Sequence, residues 1–233
     1  MEESLIFNTN QINNPESGDI TYTFHQNGNK LWYVIDAVSS CHDPRLAAEF
    51  CNAAIQNFCH DRTIKNRFDI GGLLLDLHEK MKAHPKDLTV CFAAVVQFPE
   101  GKYEAFNVGD SRVYEIQSNC LKRITRDDTY VQDLLDSGEI NDMEAHQHEQ
   151  KNFLKYALGN RKELKMNFYD FSDNMEGFLI TSDGIHGELM DNQMEHVFFK
   201  ENFSKNEIYD TLLKRSKVIE GRQDDQSVLI KWI

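Results

Sequence analysis

The stretch YEAFNVGDSRVYEIQ, residues 103–117, sets the reading of the whole chain. Two runs of β-forming residues, Tyr103 to Val108 and Arg112 to Gln117, flank a Gly109-Asp110-Ser111 break of turn-forming residues. Towards the N-terminus, Leu88 to Phe98 is another strand, joined to the first run by the turn Pro99-Glu100-Gly101. Further upstream, Ile20, Tyr22 and Phe24 alternate with polar neighbours, and Leu31 to Ile35 is an apolar run after the turn residues Asn27-Gly28-Asn29. Between these strands lie two helices. Leu46, Ala47, Phe50, Cys51, Ala54, Ile55 and Phe58 recur at helical spacing after the start signal Asp43-Pro44, and Phe68 to Met81 turns Leu73, Leu74 and Leu77 inward. Towards the C-terminus, strands are expected at Leu164 to Phe171, Gly177 to Thr181 and Ser227 to Ile233, and helices near Asn192 to Phe199 and Asn206 to Val218. Strands that follow one another without regular alternation with helices predict an α+β fold of antiparallel sheets covered by helices.

The chain has 233 residues, a length that suits one domain, and no linker interrupts the pattern. With 40% hydrophobic and 27% charged residues it can bury a sizeable core, and no low-complexity tract or repeat is present. The formal net charge of −13, without any run of Lys or Arg, argues against nucleic acid and anionic membranes as partners. No stretch approaches the roughly 20 apolar residues of a membrane span, and MEESLIFNTN lacks the basic start and apolar run of a signal peptide, so a cytoplasmic protein is expected. Five cysteines, odd in number and without ligand-like pairing, read as reduced thiols.

Four aspartates stand where apolar strands meet loops. Asp36 follows LWYVI, Asp110 follows AFNVG, Asp183 follows FLITS, and Asp224 precedes the closing SVLI. One such Asp is usually a turn residue or a cap. Several fixed on sheet rims form a set of hard oxygen ligands suited to Mg²⁺ or Mn²⁺, and without a cation they would repel one another.

The order and wording of these segments resemble the metal-dependent protein phosphatases of type 2C, most of all their compact bacterial members. NVGDSRVY, residues 107–114, matches that family's Asn-Val-Gly-Asp-Ser-Arg-x-Tyr. LWYVIDAVSS, ITRDDTYVQDLLDSGEI, EAHQHEQKNFLKYALG, FLITSDGIHGEL and DDQSVLI follow its other motifs in order. The resemblance implies two antiparallel sheets packed as a sandwich with helices on both outer faces. It also implies a serine/threonine phosphoprotein phosphatase, in which a water bridging two divalent cations is activated to hydrolyse phosphoesters. By position, Asp36, Asp183 and Asp224 would be metal ligands, and Ala37 would offer its carbonyl. Asp19 would hold a metal-bound water, Asp110 would serve a third and weaker metal, and His42 would stand near the family's proton donor. The implied cofactors are two tightly bound Mn²⁺ or Mg²⁺. The implied partner is a phosphorylated protein, the target of a cognate Ser/Thr kinase.

The chain also departs from the pattern. The family's Asp-Gly-Met-Gly-Gly is here Asp36-Ala37-Val38-Ser39-Ser40. Gly187 stands where a second acidic ligand for the third metal often occurs, so that metal is expected to be weak or absent. Asp225 replaces the usual Asn, and residues 1–29 contain no Lys or Arg to bind phosphate. These departures leave open a weak or inactive relative that binds phosphoproteins as a regulatory module. Arg112 is expected to pair with nearby carboxylates. Residues 1–233 are read as a single catalytic domain carrying a flap subdomain around 127–159, a polar, mobile segment that selects substrate.

Overall fold

The computed structural model describes residues 6–8, 17–218 and 224–233. Two five-stranded antiparallel sheets lie at its centre. The first contains β2 (Asp19–Gln26), β3 (Asn29–Ala37), β4 (Val90–Gln97), β5 (Tyr103–Val108) and β8 (Asn167–Asp170), in the order β2-β3-β4-β5-β8. The second contains β1 (Ile6–Asn8), β6 (Arg112–Gln117), β7 (Cys120–Arg123), β9 (Gly177–Thr181) and β10 (Val228–Trp232), in the order β1-β10-β9-β6-β7.

β2 and β3 form a hairpin because Asn27 and Gly28 both take the positive φ that a tight two-residue turn demands. Period-two alternation then sorts β3. Leu31, Tyr33 and Ile35 face the outer helices, while Trp32 and Val34 face the seam between the sheets. The outer layer on the first sheet is α1 (Pro44–Asp61) and α2 (Arg67–Lys82). α1 starts at Pro44 with Asp43 as its cap, accepting from the Leu46 amide, and buries Ala47, Ala48, Cys51, Ile55 and Cys59 along one stripe. α2 opens on an Asn66–Asp69 capping box. The second sheet is covered by α6 (Asp191–Phe199) and α7 (Lys205–Arg215), whose Met194, Val197, Ile208 and Leu212 pack on Leu179, Val228 and Ile230. The fold is therefore the expected α+β sandwich, layered α-β-β-α. The seam is apolar and partly aromatic, with Trp32, Val95, Phe178, Ile180 and Leu229 meeting across it.

The remaining helices lie near one end of the seam. α5 (Asp183–His186) follows β9 directly, and α3 (Tyr130–Asp136) and α4 (Asp142–Gln147) belong to the segment between β7 and β8. Ladder-type pairing of Thr129 with Leu154 and of Val90 with Leu158 ties that segment to the body. The strand expected over 164–171 is hydrogen-bonded only over Asn167–Asp170, although Leu164 and Met166 still pack on the core.

Candidate metal centre

Asp36 is the last even-numbered residue of β3, on the side of Trp32 and Val34, so its carboxylate stands at the end of the seam. Its cross-strand partner in the hairpin is Asp19, and directly opposed residues hold their side chains on one face about 5 Å apart. The hydroxyls of Ser227 and Ser182, at the adjoining ends of β10 and β9, lie close enough to favour the charged form of the Asp19 carboxyl. Asp110 sits in the turn between β5 and β6 and is buried. Asp183 is the first residue of α5, after Ser182, whose hydroxyl donates to the Asp225 carbonyl and does not cap the helix. The next residue must be glycine. A Cβ on Gly184 would lie 2.0 Å from the Asp225 carbonyl oxygen, so the chain before β10 runs against the start of α5. Asp225 in turn accepts from the Gly18 amide at 2.9 Å, fastening the strand that bears Asp19.

Four carboxylates thus share one rim of the sandwich, and each feels the charge of at least one neighbouring acid. Burial, then the charge of Asp183 and Asp225, holds Asp19 well above the usual carboxylate range. Burial, then the charges of Asp19, Asp183, Asp110 and Asp224, does the same to Asp36. Burial and the charge of Asp127 push Asp110 to about 6, and burial with the charges of Asp110 and Asp224 pushes Asp183 to about 7. The Asp36 and Asp183 carboxyls lie within hydrogen-bonding reach of each other. Among the described residues, no Lys, Arg or His approaches Asp36, Asp110 or Asp183 within ion-pair distance. No three His, Cys, Asp or Glu side chains among the described residues converge closely enough to cage an ion as they stand. The donor set itself fits hard divalent cations. It consists of buried carboxylate oxygens on rigid backbone whose mutual repulsion is only partly offset, by nearby hydroxyls, backbone amides and the more distant charge of Arg112.

The sequence-derived candidates divide accordingly. Asp19, Asp36, Asp110 and Asp183 come together. Asp224 is exposed at the mouth of the rim, close enough for its charge to act on Asp36 and Asp183. Ala37 ends β3, and its amide donates to the Gly18 carbonyl. His42 is exposed on the loop after β3, and no hydrogen bond or ion pair joins it to the carboxylates among the described residues. Residues 9–16, just upstream of the early aspartate, lie outside the described residues.

Arg112 does pair with carboxylates. Its guanidinium bonds both oxygens of Asp127 and reaches Asp191, and Arg123 also meets Asp127 at 2.6 Å. Asp127 and Asp128 open the segment expected to be polar and mobile, but both are buried. Asp128 accepts from the Gly109 amide and faces Lys165, so it braces the Asp110 turn from behind. Asp133 and Asp136 pair with Arg126, and Asp133 also with Lys155. Sequence reasoning also missed α5, whose four residues are too few for a periodic signal. A cavity of about 300 Å³ opens beside Asp110 and Asp183, walled by Arg112 and His186 on one side and by His146 and Lys151 of the 130–152 segment on the other.

No family model matches the chain. Over 125 residues it is 32% identical to the serine/threonine phosphatase stp of Listeria welshimeri. That alignment takes in 53% of this chain and 49% of the Listeria protein, so the match spans about half the length of the curated relative. Among solved structures, the serine/threonine phosphatase Stp1 from Staphylococcus aureus superposes with a TM-score of 0.80 at 19% identity, over 100% of this chain and 95% of that one. The catalytic domain of serine/threonine protein phosphatase PstP in complex with two manganese ions superposes with a TM-score of 0.69 at 18% identity, over 99% and 97% of the two chains. At these identities the structural likeness establishes the shared fold, and the Listeria alignment adds kinship in sequence. The chain therefore shares its fold with bacterial serine/threonine phosphatases and is similar in sequence, over about half its length, to one of them.

Proposed function

We propose that the chain is a metal-dependent phosphatase that hydrolyses phosphoserine and phosphothreonine esters of proteins, with Mn²⁺ or Mg²⁺ as cofactor. The observation that carries this reading is the cluster of Asp19, Asp36, Asp110 and Asp183, buried together on one rim with raised proton affinities and no neutralising side chain against three of them. Asp36, Asp183 and Asp224, with the Ala37 carbonyl, are assigned to two cations, and Asp19 to a water beside them. Asp110 is assigned to a third, loosely held ion. When bound, the cations supply an activated water and neutralise charge on the phosphoryl oxygens. The protein's part is positioning. The β2–β3 register fixes Asp19 against Asp36, and the contact of Gly184 with the Asp225 carbonyl fixes Asp183 against the start of β10. The reading does not depend on His42.

Gly187 supports the weakness of the third ion. A Cβ there would lie 2.5 Å from the Asp183 carbonyl oxygen, so an acidic ligand at this position requires the end of α5 to open. The substrate is a phosphoprotein of the cytosol, set by a cognate Ser/Thr kinase, and segment 127–159 is the flap subdomain that meets it. No described helix is long and apolar enough to cross a membrane.

Hydrolysis of para-nitrophenyl phosphate with Mn²⁺, with EDTA and with the Asp36→Asn variant, tests the proposal. Turnover that needs Mn²⁺ and vanishes in the variant supports it. A second reading, a phosphoprotein-binding module without turnover, is favoured by the Ala37-Val38-Ser39-Ser40 loop. It predicts phosphopeptide binding with no hydrolysis by the wild-type protein.

A further inference from the structure

A phosphoryl dianion that enters this site meets four buried carboxylates, so it needs a protein cation as well as any metal. Residues 1–29 offer no Lys or Arg. The cations lining the cavity beside Asp110 and Asp183 are Arg112, Arg123 and Lys151, together with the imidazoles of His146 and His186. Arg112 is neutralised by Asp127 and Asp191, and Arg123 by Asp127. Burial and the surrounding cations lower the proton affinity of both histidines, that of His186 strongly, so neither carries charge near neutral pH. Nearby Lys155 and Lys165 are engaged by Asp133 and Asp128.

Lys151 differs from all of these. Its ammonium donates to the Gly187 carbonyl oxygen at 3.0 Å, and among the described residues no carboxylate lies within ion-pair distance of it. An ammonium has three protons, so this contact leaves two donors and the whole charge available. Gly187 closes α5, the four-residue helix that begins with Asp183, and one such turn rises only about 6 Å. The charge is therefore anchored one helical turn along the chain from Asp183, on a flexible stem that lines the same cavity as Asp110 and Asp183.

We propose that Lys151 binds the phosphoryl group of the substrate, swinging from the Gly187 carbonyl to the phosphoryl oxygens as a point-charge donor. This rests on the phosphatase reading above. It makes the 130–152 segment part of the phosphoryl site, supplying from one side the charge that the N-terminal residues lack.

The test is calorimetric binding of inorganic phosphate to the Mn²⁺-loaded protein, with para-nitrophenyl phosphate turnover measured in parallel, for the wild type, Lys151→Arg and Lys151→Gln. Gln keeps an N–H for the Gly187 carbonyl but has no charge, and Arg keeps the charge. Phosphate affinity is expected to fall roughly tenfold or more in K151Q, as for loss of a charge-assisted hydrogen bond, and to stay within about threefold in K151R. In an active enzyme KM should rise in the same proportion in K151Q. Equal phosphate affinity in K151Q and wild type would leave Lys151 a mere latch and overturn the proposal. So would an equal fall in K151R and K151Q, or no phosphate binding by the wild type. Phosphate binding that depends on Lys151 without any turnover would uphold the assignment of Lys151 and overturn the catalytic reading.

Discussion

Replacing Asp183 by Asn is expected to stabilise the metal-free protein while ending its response to metal. Burial and the charges of Asp110 and Asp224 raise the Asp183 carboxyl from an ordinary 3.8 to about 7. At 1.36 kcal/mol per pH unit, this displacement corresponds to about 4 kcal/mol of native-state cost once pH exceeds 7. Asn keeps the bond from the Gly184 amide and loses the charge. Its amide still needs hydration, so the net gain should be about 2–4 kcal/mol, or roughly 5–15 °C in Tm for a chain of this size. A group whose proton affinity is raised by folding favours the native state at low pH, and that advantage is lost as pH climbs through the folded value. The gain from D183N should therefore be full at pH 8, shrink as pH falls, and vanish near pH 4. Thermal melts in EDTA at pH 8, 6 and 4, repeated with Mn²⁺, measure all of this. With Mn²⁺ the order should reverse, because the wild type alone acquires a compensating charge. A D183N protein that melts at or below wild type in EDTA at pH 8, or a gain that does not depend on pH, would refute the argument that these acids repel one another uncompensated.

Other expectations follow from single contacts. Asp36→Asn should lower Mn²⁺-dependent turnover of para-nitrophenyl phosphate by about a thousandfold or more, with near-native circular dichroism, since the residue sits at a strand end and not in the apolar seam. Calorimetric titration with Mn²⁺ should count two tight ions per chain. Gly184→Ala should cost about 1–3 kcal/mol in denaturant melts, because its Cβ would meet the Asp225 carbonyl oxygen at 2.0 Å. His186 is buried, shares a hydrogen bond with the Thr181 hydroxyl and is surrounded by Arg112, Arg123 and Lys151, so its ring resonances in NMR should not titrate until well below pH 6.5.

The parts of this molecule that could be read from sequence are those whose signals are local. Asn27-Gly28 announces a hairpin, and the alternation through Trp32 and Val34 continues to Asp36, so the side on which that carboxylate stands was implicit in the strand period. Asp43-Pro44 and the stripe from Ala47 to Cys59 gave α1 its start and its buried face. Asp127 and Asp128 show the opposite case. An acidic pair after a strand looks solvated until the fold brings Arg112 and Arg123 to one and Lys165 to the other, contacts set by sheet order and not by spacing. The four residues of β7 and the four of α5 are shorter than any period that could betray them. Lys151 lies within the EAHQHEQKNFLKYALG segment, at a position whose residue type the pattern leaves open. What sets it apart is the carbonyl it touches and the partners its neighbours already have.

The pairing of Thr129 with Leu154 has a consequence for how such a fold can diversify. The chain leaves the body at one residue and returns at another directly beside it, and what lies between makes its own caps and ion pairs. Closing a loop costs only about 0.6 kcal/mol more for each doubling of its length. The intervening residues can therefore be lengthened, shortened or exchanged as a cassette while both sheets keep their register. A transplant that joins a relative's segment at these two positions, carrying a lysine at the place of Lys151, would change what the protein recognises and leave its carboxylates where they are.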